Sequence, residues 1–237
     1  MAERAVQDCK SIRAKGFDGG PKLIFDINGH GLSIFHRNPE YQKALKQADI
    51  IHSDGGFFVT FSKFRFRHPI RERSATTDMI HDLAKVAVKE SLSFYLLGGT
   101  EDVNSQCAAE LLKMYPGLKI SGRRNGYFSS EQIDEIVQDI NLVKPDLLWI
   151  GLGKPFEQIL SVKIKNKIDA GWIITCGGCF NFITGKYKRA PIWMQKRNLE
   201  WLYRMMTSPR ALFYRYLVTT PHALWLTLVH TSSGKNL

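Results

Sequence analysis

PDLLWIGLGKPFEQILSVKIKNKIDAGWIITCGG (145–178) is the stretch whose reading decides the fold. It opens on a short apolar run, Leu147 to Ile150, which breaks at Gly151-Leu-Gly153. Pro155 then suits the first turn of a helix, and the helical pattern that follows stops at Gly171. A second apolar run, GWIITCGG, again ends in glycine. Strand, glycine turn, helix and strand make a βαβ unit, and two strands joined by a helical crossover run parallel.

The same alternation extends in both directions. Further apolar runs occur at KLIFDIN (22–28), ADIIHSDGG (48–56), LSFYLLGGT (92–100) and LKISGRR (118–124). Helical patterns separate most of them: NPEYQKALKQA (38–48), TTDMIHDLAKVAVKE (76–90), DVNSQCAAELLKMYPG (102–117) and SSEQIDEIVQDINLVKP (129–145). Ser129 and Gln132 stand in capping-box spacing at the start of the last one. The pattern predicts an α/β, Rossmann-like fold: a mostly parallel sheet with helices on both faces.

The chain has 237 residues, 44% hydrophobic and 23% charged, enough for one α/β domain and an appendage. Its net charge of +11 is unevenly spread. From Gly185 to Leu237 there are nine Lys and Arg against the single Glu200, so this tail carries +8. Three of the five tryptophans, Trp193, Trp201 and Trp225, lie there as well. The expected division is therefore 1–184 for the α/β domain and 185–237 for a basic, aromatic-rich helical appendage. Such a tail suits an anionic partner with an apolar component: a membrane surface, a lipid-linked pyrophosphate or a nucleic acid.

The amino terminus, MAERAVQDCKSIRAKG, lacks the apolar run of a secretory signal. No stretch approaches the roughly 18–20 apolar residues of a spanning helix. The expected location is cytoplasmic, with membrane contact made from the surface. Four cysteines do not make a disulfide framework in a chain of this length. Cys176-Gly-Gly-Cys179 has the spacing of a redox pair or half a zinc site, yet no second pair completes a metal set. The simpler reading is a tight glycine turn after a buried strand.

In parallel sheets ligands bind beyond the carboxyl ends of the strands. Asp54, in HSDGG, stands at one such end. It could take a proton from a hydroxyl in a pocket, or merely cap the following helix. Asp26 and Asn28 end the first run, where either could orient a polar substrate or close a turn. Gly98-Gly99 and Gly151-Leu-Gly153 are glycine turns whose backbone N–H groups favour phosphate. Neither matches a GxGxxG or GxxxxGK[ST] motif. Arg73 could pair bidentately with a phosphate, or be a solvated charge beside Arg71 and Glu72.

Several blocks then occur in the order of a known family: ADIIHSDGG, ERSATTD, FYLLGG, YPGLKISG, INLVKPDLLWIGLGKP, CGGCFNFITG, RAPIWMQ, LEWLYR and SPRALFYRY. From about Asn28 to Tyr216 the chain resembles the WecG/TagA/CpsF bacterial glycosyltransferases, glycosyltransferase family 26. The resemblance implies an inverting, metal-independent transferase without cofactor. It would move a sugar, typically N-acetylmannosamine or its uronic acid, from a UDP donor to a polyprenyl-diphosphate-linked sugar in bacterial surface polysaccharide biosynthesis. The enzyme would sit peripherally on the inner face of the cytoplasmic membrane, with self-association allowed and no nucleic acid partner. It further implies that Asp54 is the catalytic base and that Arg73 belongs to the catalytic set. The appendage would dock on an anionic membrane and complete the site with Arg189, Arg204 and Arg215.

The chain departs from the family pattern at several points. The common Thr-x-Asn is Asp26-Ile-Asn28, the Pro-Lys-Gln-Glu motif reads Pro155-Phe-Glu157-Gln158, and the usual Phe-Asp-Phe is Phe180-Asn181-Phe182. The expected donor and acceptor contacts are therefore Asp26, Asn28, Gly98, Gly99, Gly151, Gly153, Pro155, Gln158 and Asn181. The departures extend the candidate donors to UDP-glucose and UDP-glucuronate, and allow a catalytically weak scaffold of the same pathway.

Overall fold

The computed structural model describes residues 1–65, 70, 73–197, 199–207, 212 and 215–231. Six strands are present: β1 (Lys22–Ile27), β2 (Ile50–Ser53), β3 (Ser93–Gly98), β4 (Lys119–Arg124), β5 (Leu147–Gly151) and β6 (Trp172–Thr175). They form one parallel sheet in the order β2-β1-β6-β5-β3-β4. The chain leaves β3 towards β4 and β5 towards β6, in opposite directions. The carboxyl ends of β3 and β5 therefore flank a topological switch point, where parallel sheets open a crevice.

The helices are α1 (Ala2–Ala14), α2 (Gly29–Arg37), α3 (Pro39–Leu45), α4 (Gly56–Arg65), α5 (Thr76–Glu90), α6 (Glu101–Met114), α7 (Ile133–Val143), α8 (Phe156–Ile164), α9 (Cys179–Ile183), α10 (Ile192–Lys196), α11 (Glu200–Thr207) and α12 (Thr220–Thr231). Two compact units are present. One comprises Met1–Asp26, Lys43–Ile51 and Thr76–Lys188; the other comprises Ile27–Gln42, His52–Ala75 and Arg189–Leu237. The basic tail thus clusters with two segments from the first third of the chain.

The first unit holds most of the sheet. All six residues of β3 and all four of β6 are buried, as near-continuous apolar runs require when helices cover both faces. On one face α1, α5, α6 and α9 share a core with Phe94, Leu96, Trp149, Trp172 and Ile174. On the other, α7 packs on β4 and α8 on β5 and β6. Asp146, which is buried, accepts from the Ser93 N–H (2.8 Å) and hydroxyl (3.0 Å) and pairs with Arg13 of α1. This carboxylate fixes the entry to β5 against β3. Before α7, Gln132 Oε1 accepts from the Ser129 N–H at 3.0 Å, the capping box expected from the sequence.

In the second unit Asn28 caps α2, its Oδ1 accepting from the Gly31 N–H at 3.1 Å. The Asp54 N–H donates to the Ile27 carbonyl (2.9 Å), and the Ser74 N–H to the Ser53 carbonyl (2.9 Å). These bonds bring the segment after β2 and the segment carrying Arg73 together. A π-helical turn, Arg215–Thr219, leads into α12, which packs on α2. Among the described residues no helix is long and apolar enough to cross a membrane.

Candidate active site

The glycine turns lie side by side at the switch point. Gly98 pairs with Gly151 in the register of β3 and β5. The Gly99 N–H reaches the Gly151 carbonyl at 3.3 Å, and the Gly126 N–H reaches the Gly99 carbonyl at 2.8 Å. The buried Asn104 of α6 holds this corner from beneath. Its Nδ2 donates to the carbonyls of Leu96 (3.1 Å), Gly98 (2.9 Å) and Arg124 (2.9 Å). Thr100 caps α6, accepting from the Val103 N–H at 3.3 Å. Gly98 is buried and Gly99 and Gly151 are half-buried, next to the start of the fourteen-residue α6.

A buried charged network stands behind the second glycine turn. Lys154 Nζ pairs with Asp26 Oδ2 and lies 3.7 Å from Glu157 Oε1. Asp26 Oδ1 also accepts from the Thr175 hydroxyl at 3.2 Å. Gln158 Nε2 donates to Glu157 Oε1 (3.1 Å) and Thr175 Oγ1 (3.2 Å). Glu157 Oε2 accepts from two backbone N–H groups, Gly153 at 3.0 Å and Gly177 at 2.9 Å. One carboxylate oxygen therefore ties the loop after β5 to the loop after β6. Burial pushes the Glu157 carboxyl above the usual range, the Lys154 charge pulls it back, and Asp26 adds to the rise.

The second unit carries its own charged cluster. Arg73 Nη2 lies 3.5 Å from Asp54 Oδ1, and Arg73 Nη1 donates to Glu200 Oε2 at 2.6 Å. Glu200 Oε1 is 3.3 Å from Arg189 Nε, and Arg189 Nη2 donates to Gln195 Oε1 at 2.7 Å. Glu200, at the start of α11, is buried, whereas Asp54 and Arg73 keep about a fifth of their side chains exposed, 24% and 19%. Two carboxylates and two guanidiniums thus meet, and Asp54 is the more exposed of the two carboxylates. An accessible carboxylate beside fixed cations can accept a proton while those cations face a developing negative charge.

The other expected site residues are distributed as follows. Pro155 precedes α8. Asn181 is half-buried in α9, and its backbone carbonyl accepts from the Tyr187 N–H at 2.9 Å. Arg204 lies on α11, half-buried. The backbone of Arg215 belongs to the π-helical turn, and its side chain lies outside the described residues. Cys176 and Cys179 are both buried, and Gly177 supplies a positive φ of 50° between them. This is the glycine turn after a buried strand. Among the described residues no cluster of three His, Cys, Asp or Glu could hold a metal ion.

The structure adds Lys154, Asn104 and the bridging Glu200 to the residues expected from the sequence. Lys154 had a signal, a cation between Gly153 and Pro155 at a strand end. Glu200 had one too, as the single acid of the basic tail. Asn104 had none, because an asparagine inside a helical pattern reads as surface. At the opposite end of the sheet a cavity of about 300 Å³ is lined by Asp8, Lys15, Asp18, Lys22, Asp49 and Lys165, among others. Lys22 pairs with Asp8 at 2.7 Å and Lys165 with Asp49 at 3.5 Å, so its charges largely cancel.

The model of the glycosyl transferase WecG/TagA/CpsF family matches residues 2–236. Two curated relatives are named N-acetylglucosaminyldiphosphoundecaprenol N-acetyl-beta-D-mannosaminyltransferase. The one from Bacillus spizizenii is 27% identical over 194 residues, covering 82% of this chain and 74% of the relative. The one from Bacillus subtilis is 28% identical over 173 residues, covering 73% of this chain and 66% of the relative. Among solved structures, a nicotinate phosphoribosyltransferase from Vibrio cholerae aligns over 79% of this chain and 48% of its own. Its TM-score of 0.22 and identity of 12% carry no argument.

Proposed function

Because the chain belongs to the WecG/TagA/CpsF glycosyltransferase family, we propose that it moves N-acetylmannosamine, or a closely related hexose or uronic acid, from a UDP donor. The acceptor is N-acetylglucosamine carried on undecaprenyl diphosphate, the lipid-linked sugar in the names of its relatives. The observation that carries the reading is the Asp54–Arg73–Glu200–Arg189 cluster.

In this mechanism Asp54 takes the proton of the acceptor hydroxyl as its oxygen attacks the anomeric carbon. The new C–O bond forms on the face opposite the nucleotide, which inverts the centre. The bond from the anomeric carbon to the diphosphate breaks, and its electron pair leaves on UDP. Arg73 and Arg189 supply the positive charge that stabilises the departing diphosphate, so that no metal is required. The tail keeps the enzyme on the cytoplasmic face of the membrane, where the lipid-linked acceptor resides.

The test is UDP release from a panel of UDP-sugars, with a short-chain polyprenyl-diphosphate-linked N-acetylglucosamine acceptor, anionic vesicles and EDTA. Acceptor-dependent release from UDP-N-acetylmannosamine is expected. Release only from UDP-glucose or UDP-glucuronate would reassign the donor. Asp54→Asn should lower turnover by about 10²–10⁴-fold while donor affinity is retained. A fully active Asp54→Asn enzyme would remove Asp54 from the mechanism.

A further inference from the structure

Glu200 is the one acidic residue of the last fifty-odd, and it is buried. Both of its oxygens are committed to arginines: Oε2 to Arg73 at 2.6 Å and Oε1 to Arg189 at 3.3 Å. Arg73 is therefore shared unequally between two carboxylates. Its Nη1 holds Glu200 at 2.6 Å, while its Nη2 stands 3.5 Å from Asp54. The first is a strong charge-assisted bond; the second is at the outer limit of bonding distance.

The inequality matters for the chemistry. A carboxylate held closely by a guanidinium is stabilised in its charged form, commonly by one to three pKa units. A carboxylate stabilised in that way is a weaker proton acceptor. An arginine beside the base is thus useful for the leaving diphosphate and harmful to the base, unless something keeps the two apart. Glu200 is placed to do so, and it also supplies counter-charge to both partly buried guanidiniums.

We propose that Glu200 is a positioning residue: its carboxylate draws Arg73 away from Asp54 and holds it beside Arg189, so that Asp54 keeps its basicity. This rests on the reading of Asp54 as the base. The other charged or titratable groups on or next to the described elements that carry the cluster are His52 on β2, Lys196 on α10, Arg197 just beyond it, and Tyr203 and Arg204 on α11. The His52 ring Nδ1 lies 3.0 Å from the Ser74 carbonyl.

The experiment compares the full-length wild-type chain with Glu200→Gln, Glu200→Asp and the double variant Arg73→Gln/Glu200→Gln, measuring kcat and donor KM on vesicles from about pH 3 to 9, a range that brackets carboxylate titration. Folding is followed by thermal unfolding. In Glu200→Gln, Arg73 closes on Asp54: kcat falls about tenfold, roughly the factor that one to two pKa units give at partial Brønsted sensitivity, with a smaller change in KM. The acidic limb of the kcat profile moves to lower pH. Removing the arginine as well returns that limb towards its wild-type position, an effect that a merely structural role would not produce. If Glu200→Gln does not fold, Glu200→Asp, which keeps the charge on a shorter stem, should show the same displacement at smaller size. A folded variant whose acidic limb and kcat match wild type would overturn the proposal. So would a uniform loss at every pH that the double variant leaves unchanged. The Asp54→Asn enzyme separates the two ideas: if it is active, the reading of Asp54 as base falls; if it is inactive and Glu200→Gln behaves as wild type, only the role of Glu200 falls.

Discussion

Gly98 faces Gly151 across β3 and β5 so closely that a Cβ on Gly98 would lie 2.3 Å from the Gly151 carbonyl oxygen. The contact is with backbone, which cannot swing aside, and the φ of 140° is itself one that side chains rarely adopt. Gly98→Ala should therefore cost about 2–5 kcal/mol, from backbone strain and overpacking together. Gly153 is the control: its φ is 80°, but nothing lies within 4 Å of an added Cβ. Gly153→Ala should cost about 1 kcal/mol. Urea unfolding of the two variants measures both, and equal losses would contradict the close approach.

Glu157 spends one oxygen on the N–H groups of Gly153 and Gly177. Glu157→Ala leaves both donors without that partner and takes from Lys154 one of its two carboxylates, a loss of about 2–4 kcal/mol. Glu157→Gln keeps an acceptor for the Gly153 and Gly177 N–H groups but turns its NH2 towards Gln158 Nε2 and Lys154, so it should be destabilised, by less than Glu157→Ala. The pH dependence has a definite sign. The folded pKa of Glu157 is raised above 4.5, so between the two values the native state binds more protons than the unfolded state. This residue's contribution to stability accordingly falls as pH rises from 4.5 through the folded pKa. Unfolding free energies across that range should show a shallower decline in Glu157→Gln, and an unchanged slope would place the raised titration elsewhere.

The alternation of apolar runs and helical patterns made the sheet legible, since each buried parallel strand is a short apolar run closed by glycine, as in SFYLLG and WIIT. The strand order was not legible, because β6 inserts between β1 and β5 through contacts that local pattern does not encode. At the site, Asp54 and Arg73 stood out as charged residues beside glycine or at a helix entrance. Asn28 caps α2 through its Oδ1, a bond that its place at the end of the first apolar run did not announce. Lys154 and Glu200 escaped because their significance lies in partners 128 and 127 residues away, Asp26 and Arg73. Spacing reports neighbours along the chain, and an ion pair closed by the fold leaves no such mark.

The four cysteines lend themselves to a simple chemical test. Burial raises the Cys9 and Cys107 thiols to about 12 and the Cys176 thiol well above its ordinary value. Thiolate is the reactive form, so the native protein should react only slowly with an aromatic disulfide reagent at pH 8, whereas all four thiols should react at once in denaturant. Rapid native labelling of Cys176 or Cys179 would revive a redox role for the pair.

The tail presents basic and apolar groups together, as membrane docking requires. On α10, Ile192 is 70% exposed and Trp193 56%, and the Arg197 guanidinium lies 5.9 Å from the Trp193 ring centre. Lys196 closes the same helix. A second apolar surface lies on α12, where Trp225 is 54% exposed beside Leu228 and Val229. An indole flanked by arginine and lysine can enter the interface while its neighbours meet lipid phosphate. Each basic residue near an anionic surface contributes about 1 kcal/mol, so Lys196→Ala/Arg197→Ala should weaken binding to anionic vesicles by roughly 10–30-fold at low salt and by less at high salt. Trp193→Ala should weaken it without changing the salt dependence, because the loss is apolar. If Trp225→Ala has the larger effect instead, α12 rather than α10 makes the contact. Vesicle binding unchanged in all three variants, together with retention on heparin or DNA lost in the basic pair, would turn the tail from a lipid surface to a nucleic acid.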